Sequence, residues 1–375
     1  MKRVIYADNA ATTQLDETAF EAMKPWLLYE YGNPSQPYAL ARKPKKAIAE
    51  ARAVIAECIN AEPEEIFFTS GGTESDNWAI KGSAFSDSDH QATITSAFEH
   101  HAILHSCAAI EKMGYPVAYL SPTSAGEVSP ESLAEIITNR TRLVSVMLAN
   151  NELGTIQPIK ALCEIAHTHG SLFHTDAVQA IGHIPVDVSE LGVDMLSSSA
   201  HKFNGPRGIG FLYIRKGTEL PSFLDGGSQE KGHRAGTENV ASIVGMSVAL
   251  QKNVEDMSKN AAHICEVETR LLSILRAEKI PFIRNGASLE TLPGVMSLSF
   301  PGQNGEAMLH RLDLKGITVS TGSACDSQNT EVSHVLKAIS VESNYANGTI
   351  RISLGKNNTL EDAECIAKEI ITIVK

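Results

Sequence analysis

Apolar positions recur with a helical period over residues 45–59, where Ile48, Ala51, Ile55 and Ile59 share one face. Residues 65–69 (EIFFT) then predict a strand, Ser70-Gly71-Gly72 a turn, and residues 73–81 a helix. The alternation continues with strand 92–96, helix 100–113, strand 143–149, helix 159–169 and strand 172–175, then strands at 195–199 and 210–214. The stretch 143–149 (LVSVMLA) is apolar nearly throughout, the pattern of a strand covered on both faces. Such β-α alternation predicts an α/β fold, a parallel or mixed sheet flanked by helices. Residues 237–277 read as one helical run with no Pro and a single glycine, Gly245, long enough to link two domains. Beyond it come strand 295–300, helix 305–314, strand 349–354 and a last helix capped by Thr359. That predicts a smaller α+β domain.

Composition narrows the function. At ~150 residues per domain, 375 residues suggest two domains. With 43% hydrophobic and 20% charged residues the chain is not disordered. Lys and Arg number 32 against 44 Asp and Glu, a net charge of −12, which argues against a broad nucleic-acid surface. No apolar run reaches the ~20 residues of a membrane span. The opening MKRVIYADNAATT has no signal-peptide core, so a cytoplasmic protein is expected. The six cysteines include no CxxC pair and are not a disulfide framework. His101 and His105 stand four apart on a helix, but HExxH is absent and no metal is expected.

Four segments at predicted strand ends carry candidate chemistry, the place where open α/β sheets bind ligands. Ser70-Gly71-Gly72-Thr73-Glu74 is either an ordinary strand–helix turn or a phosphate cradle, glycines bringing backbone N–H groups close to an anion. Asp176 is a helix cap, a metal ligand or a partner for a ring nitrogen. Lys202, after Ser197-Ser198-Ser199-Ala200-His201, is a surface lysine or an amine for a Schiff base. Together the three match the needs of pyridoxal 5'-phosphate: a phosphate site, an acid for the pyridine nitrogen and a lysine for the aldehyde. The fourth, Ser320-Thr321-Gly322-Ser323-Ala324-Cys325-Asp326-Ser327, sets one cysteine among small polar residues, the setting of a reactive thiol on a mobile loop. The remaining cysteines, Cys58, Cys107, Cys163, Cys265 and Cys365, read as structural.

The ordered set of motifs resembles the cysteine desulfurases of the pyridoxal-phosphate fold-type I, aminotransferase class V family. It runs from Tyr6-Ala7-Asp8-Asn9-Ala10-Ala11-Thr12-Thr13 and Gly32-Asn33-Pro34-Ser35 through Gly71-Gly72-Thr73-Glu74-Ser75-Asp76-Asn77, Glu99-His100 and Asn150-Asn151-Glu152-Leu153-Gly154. It goes on through residues 174–179, residues 199–202, Arg234-Ala235-Gly236-Thr237, the Cys325 stretch and Arg351-Ile352-Ser353-Leu354-Gly355. The resemblance implies a mostly parallel central sheet flanked by helices. It also implies a segment 1–15 packed with the small domain, a large cofactor-binding domain over 16–255 and a small α+β domain over 256–375 carrying Cys325.

The resemblance also implies roles. Lys202 would hold pyridoxal 5'-phosphate and move the substrate Cα proton. Asp176 would pair with the pyridine nitrogen, Gln179 with the phenolic oxygen, and His100 would stack on the ring and shuttle protons. Asn151 would support the ring and the substrate. Gly72, Thr73, Ser199 and His201 would bind phosphate, with Thr237 reaching in from a second subunit of a homodimer. Arg351, helped by Asn33, would hold the carboxylate of L-cysteine. Cys325 would take the sulfur as a persulfide, release alanine and pass the sulfur to an acceptor, an Fe–S scaffold or a tRNA-thiolation enzyme. Two departures stand out: Ser228 where a third glycine is usual, and an end at the helix bearing Cys365 without the extension that contacts a scaffold in some members. Selenocysteine or cysteine-sulfinate lyases and class V aminotransferases of the same fold are the alternatives. They would not need Cys325.

Overall fold

The computed structural model describes residues 4–86, 91–286, 290–322 and 332–375. After β1 (Ile5–Tyr6) come the seven strands of the central sheet: β2 (Ile66–Thr69), β3 (Ala92–Ser96), β4 (Val117–Leu120), β5 (Thr141–Ser145), β6 (Leu172–Asp176), β7 (Met195–Ser199) and β8 (Gly210–Ile214). They lie in the order β2-β8-β7-β6-β5-β3-β4, and β8 alone runs against its neighbours. The mostly parallel sheet expected from the sequence is therefore present. The later strands are β9 (Ile283–Asn285), β10 (Val295–Ser299), β11 (Ile317–Thr318) and β12 (Thr349–Ser353).

The period of two along each central strand builds two cores. Phe68, Val144, Leu196, Phe211 and Tyr213 face one side, under helices Arg42–Cys58, Ile159–Thr168 and Val240–Glu255. Their neighbours Phe67, Leu143, Met195, Leu212 and Ile214 face the other, against Trp78 and Ile80 of helix Gly72–Phe85 and Ile103 of helix His101–Lys112. A third core gathers Met296 and Leu298 of β10, Ile350 and Ile352 of β12, and helices Met257–Ala277 and Leu360–Val374. Ile5 and Ala7 join this third core, and β1 pairs parallel with β11.

Three local expectations are revised. The 237–277 run is two helices, Val240–Glu255 and Met257–Ala277, meeting at Asp256. The first packs against helices Glu17–Leu28 and Arg42–Cys58 and the second against helix Leu360–Val374, so opposite demands for burial divide it. The 143–149 strand is β5 plus an extended tail: Val146 and Leu148 donate N–H bonds to His174 and Asp176 carbonyls at 3.2 and 2.9 Å, which carries the chain to Asn150 above the sheet edge. Of the cysteines read as structural, Cys107 and Cys163 are buried and Cys58 is half-buried, but Cys265 and Cys365 are exposed surface residues. Burial pushes the Cys58, Cys107 and Cys163 thiols up to about 12. Thr359 does cap the last helix, exchanging bonds with Asp362 at 3.0 and 3.2 Å.

Candidate active site

The parallel strands all end on one edge of the sheet, and their connections converge there. At the end of β2 the chain turns through Gly71, whose φ of 147° suits only glycine, into helix Gly72–Phe85. The first-turn N–H groups of that helix have no intrahelical acceptor. Close approach makes the turn possible: a Cβ on Gly210 of β8 would lie 2.7 Å from Gly71 Cα and 2.3 Å from Ser198 O. A Cβ on Gly72 would lie 2.6 Å from Val178 Cγ2.

One cavity of ≈ 370 Å³ sits on these ends. Gly72, Thr73, Ser199 and His201 line it, as do His100, Asn151, Asp176, Gln179 and Lys202. Arg351 of β12 enters from the small sheet. Ten of the thirteen residues proposed from sequence thus meet in one place. The N-terminal turn forms a wall: Lys202 Nζ donates to Ala10 O at 2.5 Å and Ala11 O at 3.0 Å, and Gln179 Nε2 donates to Ala10 O at 3.0 Å. His183 Nε2 donates to the Lys202 carbonyl at 2.9 Å, fixing the lysine backbone from behind. Arg351 gives one Nη to Asp8 Oδ1 at 2.8 Å and the other to Asn151 O at 3.1 Å, while its buried Nε has no partner among the described residues.

Burial sets the charges. It pushes Asp176 up to about 6, against the Val178 N–H on Oδ1 and the nearby Lys202 charge, which both favour the carboxylate. It holds His100 down at about 4, assisted by Lys202 and by His101, His334 and His105, so His100 is neutral near pH 7. His201 is likewise held at about 4, by burial and then by Lys202 and Arg207. His100 caps helix His101–Lys112, its Nδ1 accepting the Ala102 N–H at 3.2 Å, which leaves Nε2 to carry the proton.

Three proposed residues stand elsewhere. Thr237 lines a separate cavity of ≈ 240 Å³ with Ser70, Glu230 and Arg234. Asn33 accepts the Ser35 N–H at 2.9 Å in a local turn and does not line the main cavity. Cys325 lies outside the described residues. Sequence reasoning gave no role to Asp76, Asp8, Glu152 or His183, all of which the fold brings to the cavity or its walls. Asp8, Asp76 and Glu152 each stood inside a motif given above, which was the one signal the sequence offered; the pairing of Asp8 with Arg351 appears only in the fold.

A family profile described as Aminotransferase class-V matches residues 5–366. The chain belongs to this family, among its cysteine desulfurases. It is 48% identical over 363 residues to "Cysteine desulfurase IscS" of Dictyoglomus turgidum, covering 96% of this chain and 92% of that one. It is 46% identical to "Cysteine desulfurase IscS" of Methanosarcina thermophila, covering all of this chain and 92% of the relative. Among solved structures, a "NifS-like protein" superposes with a TM-score of 0.92 at 38% identity over 99% of both chains. "SspA in complex with cysteine" superposes at 0.84 with 37% identity, over 94% of this chain and 99% of that one. As in other class V aminotransferases, the chain is an enzyme of the pyridoxal-phosphate type, and the donor set fits that group: an amine, a buried acid and a glycine cradle that any Cβ at position 72 would fill.

Proposed function

We propose that this chain binds pyridoxal 5'-phosphate in the ≈ 370 Å³ cavity and converts L-cysteine to L-alanine, carrying the sulfur on Cys325. What supports this most is a single arrangement: Lys202, Asp176 and the Gly72–Thr73 helix start line one cavity, which Arg351 enters from the other side, its buried Nε without a partner among the described residues. When bound, pyridoxal 5'-phosphate supplies an aldehyde and a ring that takes up electrons released at the substrate Cα. In this reading the first-turn N–H groups, Ser199 and His201 hold the phosphate, and Asp176 holds a proton on the ring nitrogen. Arg351 binds the substrate carboxylate through its guanidinium, oriented by Asp8 and by the Asn151 carbonyl. Lys202 Nζ takes the Cα proton, and neutral His100 holds or returns a proton on the opposite side. Cys325 Sγ, as thiolate, attacks the substrate sulfur. The Cβ–S bond breaks as the S–S bond forms, and the electron pair left on Cβ takes a proton. Cysteine and thiol become alanine and persulfide, with no net oxidant. The sulfur then passes to a protein acceptor of the Fe–S scaffold or tRNA-thiolation kind.

The same reading makes the protein a homodimer, since Thr237 and Asn33 stand outside the main cavity of their own chain. It divides the chain near Asp256, where the cores of the two domains part. No helix among the described residues is long and apolar enough to cross a membrane. The test incubates the cofactor-loaded protein with dithiothreitol and L-cysteine and measures alanine and sulfide for wild type and Cys325→Ala. Equal amounts of both products from wild type, and neither from the variant, are expected. Undiminished activity in the variant overturns the Cys325 role in favour of a lyase that needs no thiol.

A further inference from the structure

Helix Gly72–Phe85 turns Asp76 inward one turn beyond the glycine cradle, beside Trp78, Ala79 and Ile80. The residue is 1% exposed, and its Oδ1 has no hydrogen-bond partner among the described residues. His174 Nε2 lies 3.8 Å from that oxygen, but this nitrogen is engaged with Ser197 Oγ at 2.9 Å. Its Nδ1 is engaged with Ser145 Oγ at 2.9 Å. An oxygen of Asp76, an oxygen of Asp176 and a ring nitrogen of His100 all lie within 4.8 Å of one another. Glu99 faces Asp76 from the end of β3, and Lys202 faces Asp176 from the end of β7.

Two buried carboxyls at this separation do not both ionise, because burial strips each charge of its hydration and the like charges repel. The two are not equivalent. Asp176 accepts the Val178 N–H at 2.9 Å and feels the Lys202 charge. Asp76 Oδ1 has no hydrogen-bond partner among the described residues, and only Ser197 favours the Asp76 carboxylate, against the Asp176 and Glu99 charges. The negative charge therefore settles on Asp176 and the proton on Asp76.

We propose that Asp76 is a positioning residue that stays protonated and confines the negative charge of the Asp76–Asp176 pair to Asp176. The proposal rests on the cofactor reading above for its consequence, a single full charge opposite the ring nitrogen. Burial, followed by the Asp176 charge, holds the Asp76 carboxyl well above the usual carboxylate range, in line with the geometry.

Asp76→Asn keeps the shape and the neutral charge. In the cofactor-loaded enzyme it is expected to leave the pH midpoint of the cofactor's visible absorbance unmoved, within about twofold in proton affinity. Infrared difference spectra of wild type minus Asp76→Asn at neutral pH, recorded with and without cofactor, are expected to show loss of one carboxylic-acid C=O band. Carboxyl-¹³C-aspartate labelling of the wild type is expected to displace that band. Asp76→Ser serves the same subtraction if the Asn variant does not fold. No lost band, or a midpoint moved by tenfold or more, means that Asp76 is ionised and overturns the proposal. Failure of wild type to take up cofactor would strike the functional reading instead, and the cofactor-free infrared comparison would still decide the state of Asp76.

Discussion

His174 shows how single side chains under the site are held in one charge state. It stands in the middle of the sheet, opposite Ser145 in the register of β5 and β6, while Ser197 stands opposite Asp176 in the register of β6 and β7. The imidazole thus bridges two serine hydroxyls, both bonds at 2.9 Å, and reaches no solvent. Burial holds its pKa at about 3. In the unfolded chain a histidine titrates near 6.5, so between these values the unfolded state binds a proton that the folded state refuses. Stability from this residue is fully present above the unfolded value and is lost as pH falls toward the folded one. Compared with His174→Gln, wild type should therefore lose about 1.2 kcal/mol as pH falls from about 6 to 5, and show no pH-dependent difference above about 7.5. Urea unfolding of both proteins at pH 8, 6 and 5 measures this. A difference constant across all three would mean that His174 takes up its proton in the fold as readily as in the unfolded chain. The buried carboxyls Asp76, Asp176 and Glu99 act in the opposite direction, which is why the comparison must be with the variant and not with pH alone.

At the scale of elements, the start of helix Gly72–Phe85 is where backbone geometry becomes a binding site. Glu74 secures it, accepting the Ser70 N–H at 2.8 Å and pairing with Arg234 at 2.8 and 3.1 Å. Gly72→Ala would set a methyl 2.6 Å from Val178 Cγ2, and Val178 gives its N–H to Asp176. Relief must come from the 176–179 turn, so the variant should fold but bind pyridoxal 5'-phosphate about tenfold more weakly, or about 1.4 kcal/mol. Absorbance titration of cofactor-free protein tests it, and unchanged affinity would remove the cradle from the proposed phosphate site. This element was legible in sequence because a strand, two glycines and a helix leave little freedom. The strand-end residues Asp176, Ser199 and Lys202 were legible for the same reason: polar groups directly following buried strands. Asp76 was not, since a carboxylate inside a helix ordinarily marks a solvent face, and only the packed helix shows it turned inward. The break at Asp256 left no Pro or Gly signal, because it arises from which core each half joins. Strand β4 was missed as well. It lies at the sheet edge with Tyr119 exposed, so the buried pattern that marks β5 to β8 is absent.

The whole molecule carries an apolar surface that a single chain leaves uncovered. Leu27, Leu28 and Tyr29 close helix Glu17–Leu28 at 58%, 62% and 71% exposure, and Tyr31, Tyr38 and Leu40 follow on the next segment. So many large apolar side chains over one short stretch mark an interaction surface. Asn33 sits within this stretch, and Thr237 stands outside the main cavity on a loop anchored from below. That anchor is a buried fork: Arg52 binds Glu230 through two bonds of 2.7 and 2.8 Å, stacks 4.4 Å from the Phe68 ring centre, and Glu230 accepts the Phe68 N–H at 3.0 Å. Glu230 adopts a φ of 44° to do so, a cost met only where the surroundings hold it. A loop fixed this firmly, with Thr237 outside the main cavity of its own chain, fits the role proposed for it at a partner's phosphate. Replacing Leu28 and Tyr31 together by Glu should give a monomer by sedimentation with an unchanged far-ultraviolet spectrum, since both side chains are solvated in the single chain. That monomer should lose pyridoxal 5'-phosphate on dialysis, while Thr237→Ala in the dimer should weaken retention alone. A monomer that keeps the cofactor as firmly as wild type would show each active site to be complete within one chain, and Thr237 would then have no part in phosphate binding.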